Sequence, residues 1–153
     1  MSHFEKILSD NKAVDIKKGE VLSQGLVCHG MGKTVSTKIK FSNVVGSHCS
    51  SLGKYKIGKR GWSTWGINIK YELHGLDTTN SNAFKRNIVL HSWSAIPDKK
   101  TYPLPIVQGY GCPAVSNNYM KHLDKLLRGK NDHGVGKCML RCVTSGTLRD
   151  ACV

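Results

Sequence analysis

Residues 67–74, Ile-Asn-Ile-Lys-Tyr-Glu-Leu-His, alternate apolar and polar side chains with a period of two. Successive side chains of a β-strand point to opposite faces, so this pattern predicts a strand with one face buried and the other in water. Residues 35–41, Val-Ser-Thr-Lys-Ile-Lys-Phe, repeat the pattern. Two such stretches in one short chain predict a mainly β fold.

Further strand candidates flank these two, and each is bounded by Gly, Asn or Ser. They are Ala13 to Lys17, Glu20 to His29, Gly53 to Ile57, Ile88 to His91 and Lys137 to Val143. One main helix is predicted after them, with Ser116 as its N-cap and its end just before Gly129. The sequence therefore predicts a mixed, twisted β-sandwich or open barrel of about seven or eight strands, with one main helix after the segment that carries Cys112.

The 153 residues are enough for one domain. We expect a single domain over residues 1–153, with a core at about 12–143 and a loose tail at 144–153. The N-terminus shows no apolar stretch of signal-peptide length, and no segment approaches the roughly 20 apolar residues of a membrane span. We expect a monomer.

The chain is strongly basic, with 23 Lys and Arg against 10 Asp and Glu and a formal charge of +13. Such a charge favours association with polyanions, among them nucleic acid, an anionic membrane surface and acidic cell-wall polymers. The basic residues are scattered, however, without a dense run. A solvated basic surface explains the pattern as well as a specific polyanion site does.

The six cysteines, at positions 28, 49, 112, 138, 142 and 152, form neither tight CxxC pairs nor a short secreted disulfide framework. The spacing of the cysteines therefore does not indicate whether the protein works in an oxidising or a reducing compartment. His133 with Cys138, Cys142 and Cys152 raises the alternative of a zinc site. The spacing matches no zinc motif, so we predict no metal and no cofactor.

Cys112 lies in Gly-Tyr-Gly-Cys-Pro, residues 109–113, and His91 follows the apolar run 88–90. Acyl transfer through a thiol needs a nucleophilic sulfur, an imidazole that takes and returns a proton, and backbone N–H groups that hold an oxyanion. A short buried strand before His91 would fix the imidazole, and Gly111 lets backbone approach a substrate closely. The pair is therefore a candidate for cysteine-dependent acyl transfer.

Five blocks of sequence occur in a recognisable order. They are residues 26–30, Leu-Val-Cys-His-Gly; 41–43, Phe-Ser-Asn, with 50–55, Ser-Ser-Leu-Gly-Lys-Tyr; 73–76, Leu-His-Gly-Leu; 82–86, Asn-Ala-Phe-Lys-Arg, leading into 88–91, Ile-Val-Leu-His; and 111–115, Gly-Cys-Pro-Ala-Val. Through these blocks the chain resembles, over about two-thirds of its length, the murein L,D-transpeptidase catalytic domain, the YkuD-like family.

The resemblance implies a reaction on peptidoglycan stem peptides, in the periplasm or cell envelope. In such enzymes the cysteine attacks the carbonyl of a diaminopimelate or lysine residue, expels the terminal D-alanine and passes the acyl group to the amine of a neighbouring stem. Hydrolysis replaces transfer when water is the acceptor. Cys112 would be the nucleophile and His91 the general base and later acid. Ser92 stands where many members carry a serine that orients the histidine.

Further residues are assigned to oxyanion and substrate binding. The oxyanion donors are predicted to be the backbone N–H groups of Tyr110, Gly111 and Cys112, because side-chain donors are sparse there. The substrate-binding candidates are Arg86, Ser42, Asn43, His74 and Trp93. Each has a structural alternative. Arg86 could be a solvated basic residue, and Ser42 with Asn43 could form a polar turn. His74 could be a structural histidine and Trp93 a packed aromatic ring. Trp62 and Trp65 pose the same choice between sugar stacking and packing.

Two positions depart from the family pattern. Gly109 stands where Ser or Thr commonly occurs, three residues before the cysteine, and Gln108 stands where Arg often occurs. The first change removes a hydrogen bond that holds the cysteine turn, and the second removes a contact to a substrate carboxylate. With the charge of +13, they support a competing hypothesis, a non-catalytic basic module that binds nucleic acid or an anionic wall polymer.

Overall fold

The computed structural model describes residues 11–15, 20–34, 40–99, 106–131 and 139–142. Eight strands lie within them: Asn11–Asp15 (β1), Glu20–Gly25 (β2), Val27–Cys28 (β3), Gly53–Trp62 (β4), Ile69–Gly75 (β5), Val89–Ser92 (β6), Ala114–Val115 (β7) and Met139–Cys142 (β8). One α-helix, Asn117–Asn131 (α1), and a 3-10 turn at Thr78–Asn80 complete the described elements.

Six of the strands form one mixed sheet in the order β3-β7-β6-β5-β4-β8, and β1 pairs with β2 in a separate two-stranded sheet. All pairs in the larger sheet are antiparallel except β6 with β7, which is parallel. Parallel neighbours need a crossover connection, so the chain that leaves β6 at Ser92 returns to enter β7 at Ala114. This return places the residues just before β7 beside the start of β6.

The prediction of a mainly β fold with a mixed sheet and one main helix is confirmed. The strand predicted from the 67–74 alternation is β5, with Tyr71 and Leu73 fully buried. The strand at Gly53 continues past the predicted Ile57 to Trp62. Of the second alternating stretch, residues 35–39 lie outside the described residues, as do the predicted tail at 144–153 and most of the zinc alternative.

The single strand predicted over Glu20 to His29 is instead two strands that separate at Leu26. The first pairs with β1 and the second with β7. At the break, a Cβ atom on Gly25 would lie within 2.6 Å of the Tyr119 ring. Glycine therefore lets α1 pack against the backbone where the strand changes partner, a long-range contact that the local pattern does not reveal.

The helix begins as predicted, because the Ser116 hydroxyl accepts a hydrogen bond from the Tyr119 N–H at 3.1 Å. Its apolar face packs on the sheet through Met120, Leu123 and Leu127. The predicted end before Gly129 is wrong, since the helix continues to Asn131. A glycine inside a helix costs about 1 kcal/mol relative to alanine, which is too little to end a helix by itself.

A polar contact also joins the helix to the sheet. The Asp124 carboxylate accepts hydrogen bonds from the Tyr71 hydroxyl at 2.7 Å and from the Arg60 guanidinium at 2.7 and 3.2 Å. Burial opposes ionisation of this carboxyl, but the donated hydrogen bonds outweigh it and hold the pKa of Asp124 below its ordinary value. Because α1 follows β7 directly, this contact helps fix the segment that carries Cys112.

Candidate active site

The Cys112 loop is joined to residues 29–31 by backbone hydrogen bonds. The Gly109 N–H donates to the His29 carbonyl at 2.9 Å, and the Met31 N–H donates to the Gly109 carbonyl at 2.9 Å. Two glycines then meet, because a Cβ atom on Gly30 would lie 2.6 Å from the Cα atom of Gly111. Gly111 itself adopts a φ of +110°, which L side chains rarely tolerate. The loop therefore requires glycine at both positions.

Ser50 holds the Cys112 turn from a distant part of the chain. Its hydroxyl donates to the Gly111 carbonyl at 3.2 Å and accepts from the Gly30 N–H at 3.0 Å. The hydroxyl expected three residues before the cysteine is missing at Gly109, but a hydrogen bond to this turn is present through Ser50. Sequence reasoning missed this residue, although it lies in one of the family-like blocks.

His91 lies on β6, with its register partners Lys70 on β5 and Ala114 on β7. The imidazole Nδ1 is 3.0 Å from the Ser92 carbonyl oxygen. The Ser92 side chain is fully buried, and its hydroxyl accepts a hydrogen bond from the Ile67 N–H at 2.9 Å. Ser92 thus contacts the imidazole through its backbone, and its hydroxyl supports the loop before β5.

Cys112 lies two positions before Ala114, the register partner of His91. Its Sγ is 3.7 Å from the Asn87 carbonyl oxygen and receives a hydrogen bond from the Val89 backbone. The thiol therefore lies at the start of β6, about 7 Å along the strand from the level of His91. The parallel pairing of β6 with β7 brings the segment just before β7, which carries Cys112, beside the strand that carries His91.

Burial acts on the ionisation of both candidates. It raises the pKa of the Cys112 thiol, and the Val89 hydrogen bond and the charges of Arg86 and Lys70 oppose this rise only in part. Burial also lowers the pKa of His91, against the opposing effect of the Ser92 carbonyl. Both groups are therefore neutral near pH 7, so the resting pair is a thiol and an imidazole.

Lys70 is a site neighbour that the sequence analysis did not select. It is the cross-strand partner of His91, and its positive charge favours the thiolate form of Cys112. The signal was present in the alternation of residues 67–74, which puts Lys70 on the sheet face opposite the buried Tyr71. Recognising its role required the register between β5 and β6.

The predicted oxyanion donors lie next to the thiol along the chain. Gly111 is buried, whereas Tyr110 is exposed and its ring packs edge-on against His48 at 5.3 Å between centroids. Among the described residues, none accepts a hydrogen bond from the N–H of Tyr110 or Gly111. These two amides are therefore available within the described structure, and their role in oxyanion binding stays a prediction.

Arg86 clamps the loop of residues 42–51. Its guanidinium donates to the backbone carbonyls of Ser42 at 2.9 Å and Cys49 at 2.6 Å, and to the hydroxyls of Ser47 at 3.1 Å and Ser51 at 2.5 Å. This loop also contains Ser50, which holds the Cys112 turn. The contacts make Arg86 a structural support of the site, and its predicted contact with substrate stays a prediction.

Replacing Arg86 with methionine is expected to lower the free energy of unfolding by about 2–4 kcal/mol, because charge-assisted hydrogen bonds are lost and their carbonyl acceptors lose a partner. Denaturant titration of the variant measures the change. The matched control is Lys85→Met at the neighbouring exposed basic residue, for which we expect a change within about 0.5 kcal/mol. Equal stability of the two variants would contradict a stabilising role for the hydrogen bonds of Arg86.

Asn43 completes the connection between the 42–51 loop and the turn before β6. Its side-chain amide donates to the Thr78 carbonyl at 3.1 Å and the Ser81 hydroxyl at 3.0 Å. Its side-chain oxygen Oδ1 accepts a hydrogen bond from the Asn82 backbone N–H at 3.1 Å. Ser42 and Asn43 thus make the contacts of a polar turn, which was the structural alternative. Substrate binding by these two residues stays a prediction.

The remaining substrate-binding candidates, His74 and Trp93, lie in separate environments. His74 stacks on Phe84 with ring centroids 4.9 Å apart, and its Nε2 is 3.7 Å from a Glu72 carboxylate oxygen. Trp93 packs against a small apolar cluster that contains Ala114. Trp93 is therefore adjacent to β7, whereas His74 lies on β5 and its contacts are with Glu72 and Phe84.

Metal-ligand clusters and membrane-spanning helices are both absent from the described part of the chain. No group of three or more His, Cys, Asp or Glu side chains in these residues is placed to hold a metal ion. His133, Cys138 and Cys152 of the zinc alternative lie outside the described residues. The described helical segments lack the length and hydropathy that crossing a bilayer requires.

Comparison with known families gives one result. A family model described as the L,D-transpeptidase catalytic domain matches residues 12–132, which is most of the 153-residue chain. Both Cys112 and His91 fall inside the matched range. Searches of curated proteins and of solved structures give no match.

Proposed function

Because the chain belongs to the family of L,D-transpeptidase catalytic domains, we propose that it is a cysteine acyltransferase that acts on peptidoglycan stem peptides in the cell envelope. The observation that supports this most is the placement of Cys112 beside the strand that carries His91, through the parallel pairing of β6 with β7. Acyl transfer through a thiol needs a base close to the nucleophile, and this pairing brings the segment that carries Cys112 to the strand that carries His91.

The hydrogen bond to Ser92 assigns the two ring nitrogens of His91. Nδ1–H donates to the Ser92 carbonyl at 3.0 Å, so Nε2 is the nitrogen that accepts a proton. We assign Nε2 as the base that takes the Cys112 thiol proton as the sulfur attacks. Because both groups are neutral at rest, proton transfer accompanies the attack and no preformed ion pair is needed.

In the first half-reaction, the Cys112 sulfur forms a bond to the carbonyl carbon of the third stem residue. The N–H groups of Tyr110 and Gly111 stabilise the negative oxygen of the tetrahedral intermediate. The carbon–nitrogen bond to the terminal D-alanine then breaks, and the imidazolium of His91 returns its proton to the departing amine. A thioester on Cys112 and free D-alanine are the products.

In the second half-reaction, an acceptor attacks the thioester. His91 removes a proton from the acceptor and returns one to the Cys112 sulfur as the thioester breaks. An amine of a neighbouring stem gives a new peptide cross-link, and water gives a shortened tripeptide stem. The described site contains no feature that favours one acceptor over the other.

Incubation of the protein with soluble muropeptides that carry tetrapeptide stems, followed by mass spectrometry, tests this proposal. A cross-linked dimer together with released D-alanine indicates transfer, and a tripeptide stem with D-alanine indicates hydrolysis. Muropeptides that end at the third residue are the matched donor control, because they lack the leaving group and should give no product.

The competing function is the basic binding module. Exposed lysines such as Lys54, Lys59 and Lys85 contribute to the charge of +13 and would attract anionic wall polymers. Retention on such polymers that weakens steeply with salt, without product from any tetrapeptide stem, would favour this alternative over the enzyme.

A further inference from the structure

Two tryptophans are exposed where β4 ends: Trp62 is the last residue of β4, and Trp65 lies in the loop between β4 and β5. Trp62 is 67% exposed and Trp65 is 53% exposed. Large aromatic side chains dominate the energetics of contact surfaces, so their exposure needs an explanation. The residues on either side of Trp65, Thr64 and Gly66, are also exposed. The neighbours of Trp65 in the chain therefore add no apolar side chain to the exposed indole.

The loop that presents Trp65 is held by its own hydrogen bonds. The Trp65 N–H donates to the Ser63 hydroxyl at 3.1 Å, and the Trp65 carbonyl accepts from the Asn68 N–H at 3.1 Å. The Asn68 side chain donates to the Ser63 carbonyl at 2.8 Å. Asn68 has a φ of +62°, a conformation that asparagine tolerates better than most residues. A loop whose backbone is already fixed loses little conformational entropy on binding a ligand.

The same loop is attached to the residues that follow His91. The Ile67 N–H donates to the Ser92 hydroxyl at 2.9 Å, and a Cβ atom on Gly66 would lie 2.5 Å from the Ser92 carbonyl oxygen. The rings of Trp65 and Trp93 meet edge to face with centroids 6.1 Å apart. These contacts fix the Trp65 loop against Ser92 and Trp93, the two residues that follow His91.

The distance along the backbone from the level of the thiol to Trp93 is close to the length of a stem peptide. The Cys112 sulfur lies beside the Val89 backbone at the start of β6. Trp93 is four residues after Val89, which is about 13 Å along an extended backbone. A stem whose third residue is attacked at Cys112 places three extended residues, about 10 Å, between the thiol and its sugar. The group that links peptide to sugar adds further length.

We propose that Trp65, supported by Trp93, is a stacking platform for the saccharide strand of peptidoglycan. This inference rests on the proposed function, since it assumes that a stem peptide occupies the thiol. Sugar rings present flat C–H faces that pack on indole, and their hydroxyl rim suits a ring whose neighbours, Thr64 and Gly66, are exposed and carry no large apolar side chain. The polymer is then bound by its sugar as well as by its stem.

The test uses the full chain with Cys112→Ala, so that bound polymer is not processed, and measures its co-sedimentation with purified insoluble peptidoglycan. Adding Trp65→Ala is expected to weaken binding about tenfold, and Trp65→Phe, which keeps an aromatic face, is expected to retain most of it. Trp65→Leu keeps apolar bulk without a ring and is expected to bind like the alanine variant. Soluble glycan strands stripped of peptide should compete with the polymer.

The matched control is Leu76→Ala, because Leu76 is 52% exposed but lies beyond the other end of β5. It is expected to bind like the parent. In the protein that retains Cys112, Trp65→Ala should leave turnover of a sugar-free tetrapeptide unchanged and reduce turnover of the polymer.

Three results would overturn the platform: equal binding by the parent and Trp65→Ala, full binding by Trp65→Leu, or equal loss of turnover on free peptide and polymer. Failure of the proposed function has a different signature, which is the absence of product from either substrate by the unaltered protein. In that case, glycan strands without peptide still decide whether the platform binds sugar.

Discussion

Replacing Cys112 with alanine is expected to reduce product formation from tetrapeptide stems to the uncatalysed background, a loss of about a thousandfold or more. The proposed intermediate is a thioester on this sulfur, so its removal leaves no acyl-enzyme. The side chain is half-buried, and the substitution should change the free energy of unfolding by no more than about 1 kcal/mol. Mass spectrometry of products and denaturant titration on one preparation separate lost chemistry from lost folding.

A second cysteine provides the comparison within the same chain. Cys28 is buried, and burial raises the pKa of its thiol to about 11, so it should resist acylation near pH 7. A carbapenem presents a reactive carbonyl to the site, and peptide mapping after labelling should find the adduct on Cys112. Equal labelling of both cysteines, or undiminished turnover by the Cys112→Ala variant, would be incompatible with the proposed nucleophile.

Replacing His91 with alanine is expected to slow acylation of Cys112 at pH 7 by about 10²- to 10⁴-fold, the usual contribution of a general base. The shape of the pH profile should change as well. Burial lowers the pKa of His91 below its ordinary 6.5, so its neutral, proton-accepting form persists at pH values below 6.5 and is lost only on further acidification. The unaltered protein should therefore keep more than half of its maximal activity at pH 6.5 and lose the remainder as the pH falls further.

Without His91, the reaction depends on spontaneous ionisation of the thiol. Burial raises the pKa of Cys112 above its ordinary 9.0, so acylation of the variant should increase with pH up to and beyond 9. Acylation rates measured between pH 5 and pH 10 distinguish the two profiles. His122→Ala on the exposed face of α1 is the control and should retain the parent profile. A His91→Ala profile that overlaps the parent would rule out this histidine as the base.

Local patterns in the sequence were sufficient for several elements of the fold. Alternation identified β5 because each residue's environment follows from its position on one strand. Ser116 was identified as the N-cap because capping involves residues only three apart. The break in the strand at Leu26 was not predicted, because it depends on Tyr119 packing against Gly25 from a helix far along the chain.

The candidate site shows the same division. Cys112 and His91 were selected from their local context and from the order of the family-like blocks, and the family match covers both. Ser50 was missed because its hydrogen bonds to Gly30 and Gly111 join segments distant in sequence. The contacts of Arg86 were not foreseen, because they depend on the path of the 42–51 loop.

The sequence by itself determined the mainly β character, the start of the helix and the two residues proposed for the chemistry, because each follows from short-range periodicity or from a motif. The tertiary structure alone decided that β7 returns parallel to β6. It also decided which neighbours act on the thiol and that the Trp65 loop is attached to Ser92. The reason is that strand register and loop packing are set by long-range contacts whose partners no local pattern specifies.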